Sequence, residues 1–181
     1  MKVIKAKTAG FCFGVKRAVD TVYKQVDTKC GQIYTYGPII HNEEVIKDMR
    51  DKGVIVLRSE EDLDMISQGT VIIRSHGVEK RIYEKIEQKG LRIVDATCPF
   101  VKKIHNIVSE KSGEGFHIII IGNPEHPEVV GIKGWAKDNV TVIQSAEDAE
   151  CFTADRKEKI CIVSQTTFNY NKFKDLVEII M

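Results

Sequence analysis

Cys98 stands in the run Asp95-Ala96-Thr97-Cys98-Pro99, between a short apolar stretch, Leu91 to Val94, and a helical pattern that opens near Phe100. A cysteine in that place can aim its sulfur at a ligand. The first turn of the following helix adds unpaired N–H groups and partial positive charge, which favour a thiolate or a bound anion. Cys12 repeats the setting: Val3 to Ala6 reads as a strand, Gly10 to Gly14 as a turn, and Val15 onward as a helix. We read the two cysteines as sharing one site. A buried, inert role is the commonest one for a free cysteine, but the glycine and proline flanks argue against it. No CxxC pair is present, so spacing alone gives weak support to a metal site. Cys161 lies inside a strand pattern and reads as core, while Cys30 and Cys151 lack the turn context and read as incidental.

Other polar groups follow strands in the same way. His41, His76 and His126 each come just after an apolar run. Any one alone would be a satisfied loop histidine, but three at strand ends point to a shared anion or metal pocket. Glu128 lies two residues after His126. Alone it would be a first-turn carboxylate favoured by the helix dipole. Beside a cysteine and histidine pocket it is a candidate proton donor, since a partly buried carboxyl can keep its proton near neutral pH. Thr166 and Thr167 read either as helix caps or as hydroxyls that hold a substrate oxygen or relay a proton. His105 follows Ile104 on a helical stripe and reads as solvated or at an edge, His117 carries no separate signal in its strand, and Trp135 reads as packing.

The elements that must position these groups alternate as strands and amphipathic helices, the pattern of βαβ units. Strands are expected at Ile33–Tyr36, Val54–Leu57, Val71–Ile73, Leu91–Val94, His117–Ile121, Val140–Ile143 and Ile160–Val163. Helical stripes lie between them, one of them being Val15, Val19, Val22 and Val26. Ser59 to Asp62 and Ser145 to Asp148 look like helix caps. The plan recurs. Cys12 and Cys98 are 86 apart (98 − 12), His41 and His126 are 85 apart (126 − 41), and His76 and Thr166 are 90 apart (166 − 76). Internal periods of this kind mark repeated structural units. The expected fold is α/β: repeated four-stranded, mainly parallel units, two of an expected three. Residues 1–13 form a strand and cysteine turn that packs with a third unit, 14–98 the first unit and 99–181 the second. The third unit, with a third cysteine near position 184 (98 + 86), is not in this chain. In parallel sheets, ligands sit at the carboxyl ends of strands, where His41, His76, Cys98, His126 and Thr166 all fall.

The totals set bounds. The 181 residues carry 27 basic and 26 acidic side chains, a formal net charge of +1, which leaves no nucleic-acid footprint. No apolar run approaches membrane-spanning length and no signal peptide opens the chain, so a cytoplasmic protein is expected. Five scattered cysteines fit reduced thiols rather than a disulfide framework.

Six motifs in one order then become specific: Ala9-Gly10-Phe11-Cys12-Phe13-Gly14-Val15, Gly37-Pro38-Ile39-Ile40-His41-Asn42, Ser75-His76-Gly77-Val78, Asp95-Ala96-Thr97-Cys98-Pro99, His126-Pro127-Glu128-Val129 and Ser164-Gln165-Thr166-Thr167. Over essentially the whole chain they resemble the LytB/IspH family, the 4-hydroxy-3-methylbut-2-enyl diphosphate reductases. The resemblance implies three α/β units around a central iron–sulfur site. Its [4Fe-4S] cluster would be held by one cysteine per unit, with Cys12 and Cys98 as two of the ligands. It further implies that His41, His76 and His126 hold the substrate and its diphosphate, that Glu128 delivers a proton, and that Thr166 is its hydroxyl partner. The implied reaction is reductive dehydroxylation of an allylic diphosphate to isopentenyl and dimethylallyl diphosphates, the last step of the non-mevalonate pathway. A ferredoxin or flavodoxin would donate the electrons. Two units alone would be inactive. Two rivals stay open: a non-catalytic α/β binding module for a phosphorylated metabolite, and a thiol enzyme using Cys98 or Cys12 as nucleophile.

Overall fold

The computed structural model describes the chain apart from residues 1, 5, 8, 29, 30 and 156. Its elements run α1 (Phe13–Thr28), β1 (Ile33–Tyr36), α2 (Glu43–Asp51), β2 (Ile55–Leu57), α3 (Glu60–Asp64), β3 (Thr70–Ile73), α4 (Lys80–Gln88) and β4 (Arg92–Asp95), then α5 (Pro99–Gly113), β5 (His117–Ile121), α6 (Pro127–Lys133), β6 (Val140–Ile143), α7 (Ala146–Cys151), β7 (Ile160–Ser164) and α8 (Tyr170–Ile180). Each strand returns through a helix to a parallel neighbour. The first sheet has the order β2-β1-β3-β4 and the second β6-β5-β7. In the first, Thr35 pairs with Val56 on one side and Ile72 on the other. In the second, Ile119 pairs with Thr141 and Ile162. The same three-strand kernel, β2-β1-β3 and β6-β5-β7, therefore occurs twice.

Helices cover both faces of each sheet, so the central strands are buried on both sides and read as apolar runs without polar alternation. Successive residues still go to opposite faces. Ile72 packs with Ala18, Val22, Ile39 and Met49 under α1 and α2, while Val71 and Ile73 pack with Leu63, Ile82 and Ile86 under α3 and α4. In the second sheet Ile118 and Ile120 meet Val108, Val129 and Ile132 of α5 and α6. Ile119 and Ile121 meet Ile143, Ala149 and Leu176 on the opposite face.

Local chemistry places the helix starts. Ser145 and Asp148 form a complete capping box at α7. At α3 Ser59 accepts from the Asp62 N–H, but the Asp62 carboxylate takes the Arg58 N–H instead. Gly90 (φ 67) follows α4 and closes it with a hydrogen bond to Glu87 O.

Two expectations change, and a third meets no pairing strand among the described residues. The described residues among Val3 to Ala6 form no strand, and Val3 and Ile4 are 81% and 78% exposed. A strand needs a neighbour to pair with, and neither sheet offers them one. The second unit has three strands rather than four among the described residues, because β7 pairs only with β5. His105 is not solvated: it is 1% exposed. No helix among the described residues is long and apolar enough to cross a membrane.

Candidate functional site

The groups singled out above gather at the carboxyl ends of strands. β1 leads to His41, β3 to His76, β4 to Cys98, β5 to His126 and Glu128, and β7 to Thr166. The flanking strands β2 and β6 end only in the caps Ser59 and Ser145. Because β1 and β3 are neighbours, their loops meet, and the rings of His41 and His76 lie 4.6 Å apart between centroids. His126 enters from the other sheet, 6.1 Å from His41 and 5.7 Å from His76. Each ring offers a nitrogen within 4.8 Å of the other two.

That spacing alone would suit either a cation or an anion. The local bonding of His126 favours the anion. Its Nδ1 caps α6 by accepting the Glu128 N–H at 3.1 Å. A neutral ring whose Nδ1 accepts must carry its proton on Nε2. That nitrogen then donates a hydrogen bond, whereas a metal would need its lone pair. Burial pushes the His76 pKa down to about 4, assisted by the fields of His41 and Arg74, and burial also lowers that of His126. Both are thus neutral donors at pH 7.

Glu128 is 2% exposed. Thr166 holds both its oxygens, donating its N–H to Oε1 at 2.6 Å and its Oγ1–H to Oε2 at 2.9 Å. Burial raises the carboxyl pKa and these bonds oppose the rise, with burial the larger effect. The pairing spans 38 residues and depends on β5 and β7 lying side by side.

The cysteines sit at two helix starts. Cys98 is the N-cap of α5 and its carbonyl accepts from Lys102 N, as the carbonyl of Cys12 does from Lys16 N at the start of α1. Both thiols are free, Cys12 exposed and Cys98 half-buried. The two turns touch, because a Cβ on Gly14 would lie 2.5 Å from Cys98 Sγ. Arg17 of α1 laces the second turn by donating to Thr97 O at 2.9 Å and Asp95 O at 3.3 Å. Cys98 N donates to Ser75 O at 2.9 Å, which ties the cysteine turn to the His76 loop. Cys151 is exposed and Cys161 half-buried in β7. Cys30 lies outside the described residues.

Sequence reasoning missed the support behind His76. Trp135 packs as expected, but its indole N–H also donates to Val78 O at 2.9 Å. His105 stacks on that indole, with centroids 5.0 Å apart and planes 18° apart. Its Cε1 comes within 2.4 Å of where a Gly77 Cβ would sit, and its buried Nε2 has no hydrogen-bond partner. An apolar-stripe neighbour such as Ile104 gave no hint of this, since the burial comes from the second unit packing on the first. The burial has a testable cost. It pushes the His105 pKa down to about 4, so between the ordinary histidine value and about 4 only the unfolded chain takes up this proton. Stability is therefore expected to fall as pH drops through that window. His105→Phe keeps the stack and removes the titration. Its thermal midpoint should fall less between pH 7 and pH 5 than that of the parent, and an equal fall would contradict the assignment.

The family model described as LytB protein matches residues 3–181. A protein of Thermoanaerobacter sp. (strain X514) named 4-hydroxy-3-methylbut-2-enyl diphosphate reductase is 48% identical over 182 residues, spanning 99% of this chain and 62% of its own length. A solved structure of the E-1-hydroxy-2-methyl-but-2-enyl-4-diphosphate reductase from Plasmodium falciparum superposes with a TM-score of 0.89 at 30% identity, covering 96% of this chain and 54% of that one. A second, titled (E)-4-hydroxy-3-methyl-but-2-enyl diphosphate reductase, the terminal enzyme of the non-mevalonate pathway, gives 0.80 at 38% identity, covering 98% and 63%. The chain thus spans less than two thirds of the length of each of these relatives.

Proposed function

This chain belongs to the LytB protein family, and on that premise we propose that it forms part of an enzyme that reductively dehydroxylates 4-hydroxy-3-methylbut-2-enyl diphosphate. The products would be isopentenyl and dimethylallyl diphosphates. In that reaction a C–O bond breaks, two electrons and two protons enter, and water leaves. The observation that carries the reading is a buried carboxyl, Glu128, held by Thr166 at the edge of a cluster of three histidines.

The residues fit an iron–sulfur cluster as far as this chain reaches. Cys12 and Cys98 are free and are set at the positive ends of two long helices, and Gly14, two residues after Cys12, lies against Cys98 because it has no side chain. They would supply two thiolates, with further ligation from outside these residues. A bound cluster supplies the electrons and a Lewis-acidic iron for the allylic oxygen, which no side chain can do.

The chain's own groups do the rest. His41, His76 and His126 bind the diphosphate, with Nε2–H of His126 as a donor held in place by the α6 cap. Burial raises the pKa of Glu128, which makes it easier for this carboxyl to take up and carry a proton. When Oε2 is protonated its bond to Thr166 reverses, Thr166 Oγ1 becomes the acceptor, and the hydroxyl proton turns toward the substrate. Glu128 and Thr166 together thus deliver a proton to the departing oxygen. A ferredoxin or flavodoxin is the electron donor, and the cytoplasm is the place of action.

A chimera tests this directly. Residues 1–181 replace the matching segment of the Thermoanaerobacter relative, and the product is reconstituted with iron and sulfide without air. Conversion of the allylic diphosphate with a low-potential dye is the expected result. A folded, iron-loaded chimera that makes neither product would sink the reading. The 181-residue chain by itself should show no turnover.

A further inference from the structure

His76 and His126, with pKa values lowered by burial, bring hydrogen bonds rather than charge to a diphosphate. A multiply charged anion held in a partly buried site calls for a fixed cation. One guanidinium is placed for that role. Arg74 follows the end of β3, two residues before His76, and is half-buried. Its Nε donates to Gly77 O at 3.2 Å, which fixes it to the His76 loop. A Cβ on Gly37 would lie 2.6 Å from Nη1, so the guanidinium rests against the backbone that leads to His41. Gly37 has φ 73, a conformation glycine adopts freely, and its bare face leaves the guanidinium its space.

No carboxylate among the described residues lies within ion-pair distance of Arg74. Arg81, by contrast, meets both Glu60 and Glu79. A half-buried cation left without a partner is costly and calls for an explanation. Arg74 also lines a cleft of about 520 Å³ with Pro38, Glu43, Glu44, Lys47, Arg50 and Arg58, which the three histidines do not line. Its field reaches across to the histidines and lowers the pKa of both His76 and His126.

We propose that Arg74 is an anion-binding residue of this site, its unpaired guanidinium supplying the fixed positive charge for a diphosphate group held at His41, His76 and His126. The assignment rests on the diphosphate reading given above. It also explains how neutral imidazoles can serve an anionic ligand: they give direction and Arg74 gives charge.

The test is calorimetric titration of the 181-residue chain with inorganic pyrophosphate at low and at physiological salt. Arg74→Gln should weaken binding about tenfold, the scale of one charge-assisted hydrogen bond, and should flatten the salt dependence. Arg74→Lys keeps the charge without the planar fork and should recover most of the affinity. Circular dichroism checks that both variants keep the fold. Binding to Arg74→Gln as tight as to the parent would overturn the role of Arg74 and leave the diphosphate reading standing. A folded Arg74→Lys as weak as Arg74→Gln would overturn charge as its contribution. No binding to the parent chain would overturn the diphosphate reading and, with it, this assignment.

Discussion

Glu128→Gln in the chimeric enzyme is expected to lower turnover about 10²- to 10⁴-fold, the range for loss of a positioned general acid, while iron content stays at the parent level. Glutamine has nearly the same shape. Its carbonyl oxygen can still accept the Thr166 N–H, and its amide can donate to Thr166 Oγ1, so both contacts at 2.6 and 2.9 Å survive. What is lost is a group that can give up a proton. Stability moves the other way. Burial raises the Glu128 pKa above its ordinary value, so the folded chain holds this proton to higher pH than the unfolded one. That contribution is fully present below the ordinary carboxyl value and is lost as pH rises through the folded value. The glutamine variant escapes the loss, and its thermal midpoint at neutral pH should equal or exceed that of the parent. Turnover within a few-fold of the parent would remove Glu128 from proton delivery. A lowered midpoint would mean that the carboxylate is a structural anchor.

Gly14→Ala is expected to abolish most iron uptake while leaving the fold as stable as before, or more so. Its Cβ would come 2.5 Å from Cys98 Sγ and 3.2 Å from Cys98 Cβ. Carbon and sulfur cannot share that space, and the cheapest relief is rotation of the cysteine side chain away from position 14. The backbone need not move. Gly14 lies in the first turn of α1, where alanine is the better helix former by up to about 1 kcal/mol. An effect on helix stability alone therefore points to a gain, and an effect on the sulfur site points to a loss. Iron per chain after anaerobic reconstitution, read beside the thermal midpoint and a Cys98→Ala control, separates the two. A Gly14→Ala protein that takes up as much iron as the parent would show that the Cys98 sulfur is no ligand in its present orientation.

Most of the architecture was legible in the chain because its signals are local. Runs such as Ile118 to Ile121 are apolar on both faces and short, as buried parallel strands are, and the caps at Ser59, Ser145 and Gly90 mark helix ends by their own side chains or lack of one. The repeat places His41 and His126 at equivalent strand ends. Val3 to Ala6 shows the converse: its pattern suits a strand, but pairing belongs to a neighbour, and its described residues pair with neither sheet.

By itself, then, the sequence determined the order of strands and helices, the doubling of the unit, and the residue types waiting at each strand end. The tertiary structure alone decided which of them meet. Parallel neighbours bring their carboxyl ends together, so β1 beside β3 pairs His41 with His76, and β5 beside β7 pairs Glu128 with Thr166. Packing of the second unit on the first buried His105 beneath Gly77, and the turn of β3 left Arg74 without a carboxylate. Burial and pairing across such distances are sums over many residues far apart in sequence. No local pattern carries them, and they set the charge state on which the proposed chemistry at this site depends.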